Sequence, residues 1–193
     1  MTRSARWASI VAASVLATSP LVAQEGEGMG SYSNPVSFGI FAGASVPLGD
    51  FSDNFAGTGF HIGGLLQWNS PTAPIGLRID GAYHKFGNSG TSTADPSMVV
   101  GTVNGMYLFP STSTVRPYII GGAGVYNERC DLCDAQTKFG VNGGIGINVP
   151  LSGLSTIIEA RFHYVFDKVE ATATSPAISS SMFIPISVGI MFR

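Results

Sequence analysis

Ile75-Gly76-Leu77-Arg78-Ile79-Asp80-Gly81-Ala82-Tyr83-His84-Lys85-Phe86 changes character at every second residue. Ile75, Leu77, Ile79 and Tyr83 share one parity, while Arg78, Asp80 and His84 share the other. Successive side chains of an extended chain point to opposite faces, so this stretch reads as a β-strand with one greasy and one ionic side. A helix would mix the two sets around its circumference. Seven further segments repeat the pattern: Val36 to Val46, Thr58 to Trp68, Met98 to Phe109, Val115 to Tyr126, Lys138 to Val149, Ser155 to Phe166 and Met182 to Arg193. Each is close to the roughly 9 to 11 residues that a tilted strand needs to cross a bilayer. Internal glycines such as Gly121, Gly122 and Gly124, with many β-branched and aromatic residues, disfavour helix throughout.

The connections add independent information. Those at 47–57, 87–97, 127–137 and 167–181 are long, and they alternate with short ones at Asn69 to Pro74, Pro110 to Thr114 and Pro150 to Leu154. Long loops at one end and tight turns at the other are expected of a barrel that crosses a membrane. Composition agrees. Hydrophobic residues make up 45% of the 193 residues and charged ones only 11%, against about 25% charged in ordinary globular domains. Ten Lys+Arg against twelve Asp+Glu exclude a basic nucleic-acid binder, which needs clustered cations. No stretch reaches 18 consecutive apolar residues, so no helical span is expected. A closed β-barrel is the other architecture that satisfies every backbone polar group in lipid.

The N-terminus has the three parts of a secretory signal. Arg3 and Arg6 precede an apolar core from Trp7 to Ala17, and Ser19-Pro20-Leu21-Val22-Ala23 offers a cleavage point before Gln24. The expected organisation is a signal peptide at 1–23, a short periplasmic segment at 24–35 and a barrel domain at 36–193.

Sorting the strands by parity gives two faces. One collects Phe38, Ile40, Ala42, Ala44 and Val46, then Phe60, Ile62, Leu66 and Trp68, and later Ile184, Ile186, Val188, Ile190 and Phe192. Apart from Lys85 near a strand end, that face carries no charge in the strands so sorted. Aromatic residues gather near both its ends, Phe38, Trp68, Tyr107, Phe109 and Phe192 at one and Phe60, Tyr83, Phe139, Tyr164 and Phe166 at the other. Two such girdles suit headgroup depth, where a ring can be half wet.

The chain resembles the eight-stranded outer-membrane β-barrel family, of the OmpA-transmembrane-domain and OmpX-like kind. The resemblance rests on the export signal and the eight strands, and on Arg116-Pro117-Tyr118-Ile119-Ile120-Gly121-Gly122-Ala123-Gly124-Val125-Tyr126. It rests also on Phe139-Gly140-Val141-Asn142-Gly143-Gly144-Ile145-Gly146 and on a terminal alternating strand that reaches Phe192. It implies a monomeric all-β, antiparallel up-and-down transmembrane barrel with both termini periplasmic. It also implies outer-membrane lipids and lipopolysaccharide as surroundings, and delivery by the outer-membrane assembly machinery. Family members usually end on the aromatic residue, whereas here Arg193 follows Phe192.

An eight-stranded barrel is just wide enough for its own side chains to fill it. Inward glycines, among them Gly63, Gly122 and Gly146, leave room for long polar residues. Arg78, Asp80, Arg116, Lys138, Glu159 and Arg161 are expected to form one polar network, with four cations against two anions, completed by water or by His61, His84 and His163. Lone buried ions are costly, so such charges need partners. The three histidines share the inward parity but are expected at different heights, which argues against a zinc site. A hydrolase built on His163 and Glu159 would need a nucleophile within hydrogen-bond reach. His163 points inward and is followed two residues later by Val165, so no enzyme and no cofactor are expected. Cys130 and Cys133 are the only cysteines, and in an exported chain they read as a disulfide closing a small ring in the third outer loop. The remaining loop sequences are polar and suit surface contacts.

The expected function is thus an integral envelope protein with a structural or surface-interaction role. The competing readings are a narrow channel for small solutes or hydrophobic compounds, and a soluble lipocalin-like carrier.

Overall fold

The computed structural model describes residues 35–49, 51–52, 56–88, 96–111, 114–129, 135–151, 154–169 and 178–192. Eight strands follow in chain order: β1 Val36–Leu48, β2 Ala56–Asn69, β3 Ile75–Asn88, β4 Ser97–Leu108, β5 Arg116–Arg129, β6 Gln136–Leu151, β7 Leu154–Val169 and β8 Ile178–Phe192. Every strand pairs antiparallel with its chain neighbours, and β1 closes the cylinder against β8 from Phe38↔Phe192 to Leu48↔Met182. Closure leaves no unpaired edge, so each backbone ladder is satisfied within the wall.

The strands extend beyond several of the boundaries read from alternation, mostly at the end opposite the termini. β5 continues past Tyr126 to Arg129, and β8 begins at Ile178 rather than Met182. Hairpin pairing therefore persists after the greasy-polar alternation has stopped, as a paired ribbon can beyond an apolar wall. One expectation is corrected by this. The connection at 130–135 is shorter than the opposite-end connection at 109–115, so long and short connections do not alternate strictly.

The faces are unambiguous. Ile40, Leu66 and Ile186 are 62%, 50% and 49% exposed on the outer wall, while Arg78 and Glu159 are 1% and 3% exposed inside. A soluble carrier requires the reverse, with apolar residues lining the lumen and polar ones facing water. Glycines set how tightly the interior fills. A Cβ on Gly146 would run into the Tyr118 ring, which lies across that position. Gly49 has φ +59°, the left-handed conformation glycine adopts without penalty, and turns the chain out of β1.

Candidate functional site: the barrel interior

Two strand segments facing each other across the lumen define the centre. Arg78-Ile79-Asp80 on β3 and Glu159-Ala160-Arg161 on β7 each send two charges inward, two residues apart. Both strands run in the same direction, because odd-numbered strands of a meander do, so each cation meets an anion at its own level. Arg78 Nη2 donates to both Glu159 oxygens at 2.7 Å. Arg161 Nη1 donates to Asp80 Oδ2 at 3.0 Å, and its Nε donates to Glu159 Oε1 at 2.5 Å. Arg78 Nε completes the circuit with an ion contact to Asp80 Oδ1 at 2.9 Å. The ring holds two cations and two anions, all buried.

Neutral groups satisfy the remaining lone pairs. The Tyr118 hydroxyl donates to Glu159 Oε2 at 2.6 Å, and Asn104 Nδ2 donates to Asp80 Oδ2 at 2.7 Å. Among the described residues, Arg78 Nη1, Gln67 Oε1, Asn104 Oδ1, Asn148 Oδ1 and Ser155 Oγ have no protein partner. These atoms lie in the half of the barrel nearer the termini, where bridging water is the usual remedy.

Arg116 and Lys138, expected in the same network, lie elsewhere. Arg116 is exposed at the start of β5, beyond the filled part of the lumen. Lys138 sits near the other rim, where its Nζ donates to Glu128 Oε2 at 2.5 Å. Parity assigns both to the inward-facing set but says nothing about height. Losing these two cations removes the expected charge excess.

The histidines form a second layer, toward the end opposite the termini, and they are not at scattered heights as expected. His61 and His84 stack with centroids 5.1 Å apart, and the His163 centroid lies 6.5 Å from that of His84. Ser45 Oγ is within 3.0 Å of His61 Nδ1 and 2.8 Å of His84 Nδ1. His61 Nε2 reaches Ser187 Oγ at 2.8 Å, and His163 Nδ1 reaches the Tyr126 hydroxyl at 2.9 Å. One hydroxyl hydrogen cannot serve both Nδ1 atoms, so one of His61 and His84 must donate to Ser45 while the other accepts. Ser45 is 0% exposed, which keeps this serine–histidine contact away from any bulky ester. Among the described residues no group of three His, Cys, Asp or Glu is placed to hold a metal ion.

A cavity of about 20 Å³ separates the two layers, lined by His61, Asp80, His84, Arg161 and His163 among others. That volume admits about one water molecule. Apolar layers close the lumen beyond it. Phe51, Phe86, Met98, Tyr126, Val165 and Phe183 pack above the histidines, with Phe51 edge-on to Phe86 at 5.2 Å. Met106, Tyr118 and Ile120 pack near the opposite end. Sequence reading missed these layers by treating the inward parity as polar, although Phe41, Phe86 and Phe183 have that parity.

On the outer wall, Phe38, Trp68, Tyr107 and Phe109 are exposed toward the end bearing the termini, and Phe192 stacks on Phe38 at 5.3 Å. Phe60, Tyr83, Phe139 and Phe166 are exposed toward the other end, where the half-buried Tyr164 lies edge-on to Phe166 at 5.3 Å. Cys130, Cys133, Arg193 and the 1–23 signal segment lie outside the described residues.

A closed, greasy-walled, eight-stranded barrel with a charge-filled lumen defines the class: an outer-membrane β-barrel. The chain belongs to the family described as "Outer membrane protein beta-barrel domain", whose model matches residues 8–173. Among curated proteins no sequence matches this chain. Solved structures share its fold at low identity. Neisserial surface protein A has a TM-score of 0.61 at 15% identity, covering 83% of this chain and 97% of that one. A major outer membrane protein from Thermus thermophilus gives 0.51 at 15% identity, with 83% and 100% covered. The outer membrane protein OprG from Pseudomonas aeruginosa gives 0.50 at 13% identity, with 81% and 94% covered. The family match stops before β8, the strand that closes the barrel here.

Proposed function

We propose that this protein is an envelope component with a sealed lumen, serving membrane integrity and surface contact rather than conduction or catalysis. The observation that supports this reading is the charge-balanced ring of Arg78, Asp80, Glu159 and Arg161 between two apolar layers. A narrow channel would require that ring to separate and Phe51, Phe86 and Phe183 to withdraw together. Planar-bilayer recording tests the point: wild type is expected to stay closed, and persistent large conductance would overturn the sealed reading.

Export follows from cleavage after Ala23, which N-terminal sequencing of the mature protein checks. Cys130 and Cys133 form a disulfide in this reading, so thiol titration should find no free thiol before reduction and two after it. The partners are outer-membrane lipids, lipopolysaccharide and the assembly machinery that inserts the barrel. Surface contact is assigned to the connections at the end opposite the termini.

A further inference from the structure

Ring contacts join the histidine layer to the connection that follows β1. Among the described residues of the aromatic layer, Phe51 alone lies outside a strand, in the turn after Gly49. It is buried and sits edge-on to Phe86 at 5.2 Å. Phe86 in turn stacks with His84 at 6.2 Å and meets Phe183 edge-on at 5.6 Å. His163 stacks with Phe183 at 4.8 Å, and His84 meets the same ring edge-on at 5.2 Å. Phe51 is thus held by rings that rest directly on two imidazoles.

That support suits neutral imidazoles. Ser45 and Tyr126 engage the Nδ1 atoms of His84 and His163, and a second proton on either ring makes it a cation. Among the described residues no carboxylate facing the layer is free to balance that charge. Below the layer lie Asp80 on β3 with Glu159 and Arg161 on β7, and both carboxylates already serve Arg78 and Arg161. Toward the rim, Lys138 on β6 is paired with Glu128 on β5. Tyr126 on β5 and His61 on β2 complete the titratable groups, while the described inward residues of β1, β4 and β8 are uncharged. An imidazolium over Phe183 gains a cation–π contact. It also stands beside Arg161 and further imidazoles around a cavity with room for about one water molecule. A buried charge without a counter-ion is costly, and drawing in water relieves it.

We infer that the histidine layer is an acid-sensitive latch on the β1–β2 connection: protons taken up by His84 and His163 unseat the aromatic layer, release Phe51 and let water down to the cavity above the ionic ring. The latch rests on the reading that the connections at this end make the surface contacts, and it adds control of one of them by acid. At neutral pH the lumen stays sealed. The two histidines are suited to this task because each touches a hydroxyl on one side and a phenyl ring on the other, so a charge there disturbs polar and apolar packing together.

The test uses the full-length protein in phosphatidylcholine vesicles, with Cys130 and Cys133 replaced by serine and a spin label on S52C, next to Phe51. Spectra are recorded from about pH 7.5 to about pH 4, a range that spans the ordinary histidine value of about 6.5. The label should be immobile at neutral pH, and its mobile component should grow about tenfold or more in acid as the two-state ratio shifts. H84N/H163N keeps an amide where each Nδ1 stood but cannot take up the protons, so its label should stay immobile throughout. Equal loosening in that variant would assign the effect to the carboxylates and overturn the latch, as would a wild-type label that never loosens. A second measurement needs no change to the histidines: nitrogen NMR of 15N-histidine protein should show imidazole protonation over the same pH interval as the loosening. Imidazoles that stay neutral while the label loosens would also overturn it. Conductance already present at neutral pH would contradict the sealed lumen itself, whereas a closed barrel whose label stays immobile in acid contradicts the latch alone.

Discussion

Glu159 accepts from Arg78, Arg161 and Tyr118 at once, so it is the residue on which the interior depends most. Glu159→Ala leaves two buried guanidinium groups with one carboxylate. Breaking a buried pair from one side costs about 3–5 kcal/mol, so urea unfolding from vesicles should show a loss of that order. Tyr118→Phe removes a single hydrogen bond to a charged acceptor. Its expected cost is about 1.5–3 kcal/mol with the barrel intact, again read from urea midpoints. A loss in Tyr118→Phe equal to that in Glu159→Ala would mean that the ring geometry, not charge, controls stability. Arg78, Asp80, Glu159 and Arg161 were legible as interior residues from parity alone, because a two-residue period leaves no other choice of face. Their ring was not legible, since Arg78 and Glu159 come from strands on opposite sides of the lumen and meet only through the stagger of the closed barrel. Tyr118 escaped notice for a different reason: its apolar body hides a polar tip.

At the scale of the strand, each wall segment is a depth gauge. Val103 lies at the middle of β4 with its side chain exposed on the outer wall. Val103→Arg should cost about 2–4 kcal/mol, whereas the same change at Phe60 near the rim should cost about 0–1 from the charge itself; vesicle-based unfolding of both variants checks the gradient. A flat response would remove the bilayer from the account. Register explains which contacts between elements could be foreseen. The tight β2–β3 hairpin fixes Asn69↔Gly76, and counting back along both strands gives His61↔His84. That pairing was therefore present in the sequence, and placing the histidines at different heights ignored it. His163, arriving from β7, has no such local tie to β3. The unequal connections at 109–115 and 130–135 show the converse limit, because alternation marks where a wall is greasy and not where pairing ends.

For the molecule as a whole, everything depends on which parity meets lipid. Site-directed spin labelling along β4 decides it directly, with single cysteines at positions 99, 102, 103 and 104 in a background where Cys130 and Cys133 are replaced by serine. Labels replacing Val99 and Val103 should collide readily with oxygen dissolved in the bilayer. Labels replacing Thr102 and Asn104, enclosed beside Asp80, should be shielded from oxygen and from a water-soluble nickel chelate alike. Accessibility to oxygen that alternates with a two-residue period, highest at 99 and 103, is the predicted result. Oxygen collisions highest at 102 and 104, or nickel-chelate access highest at 99 and 103, would contradict it.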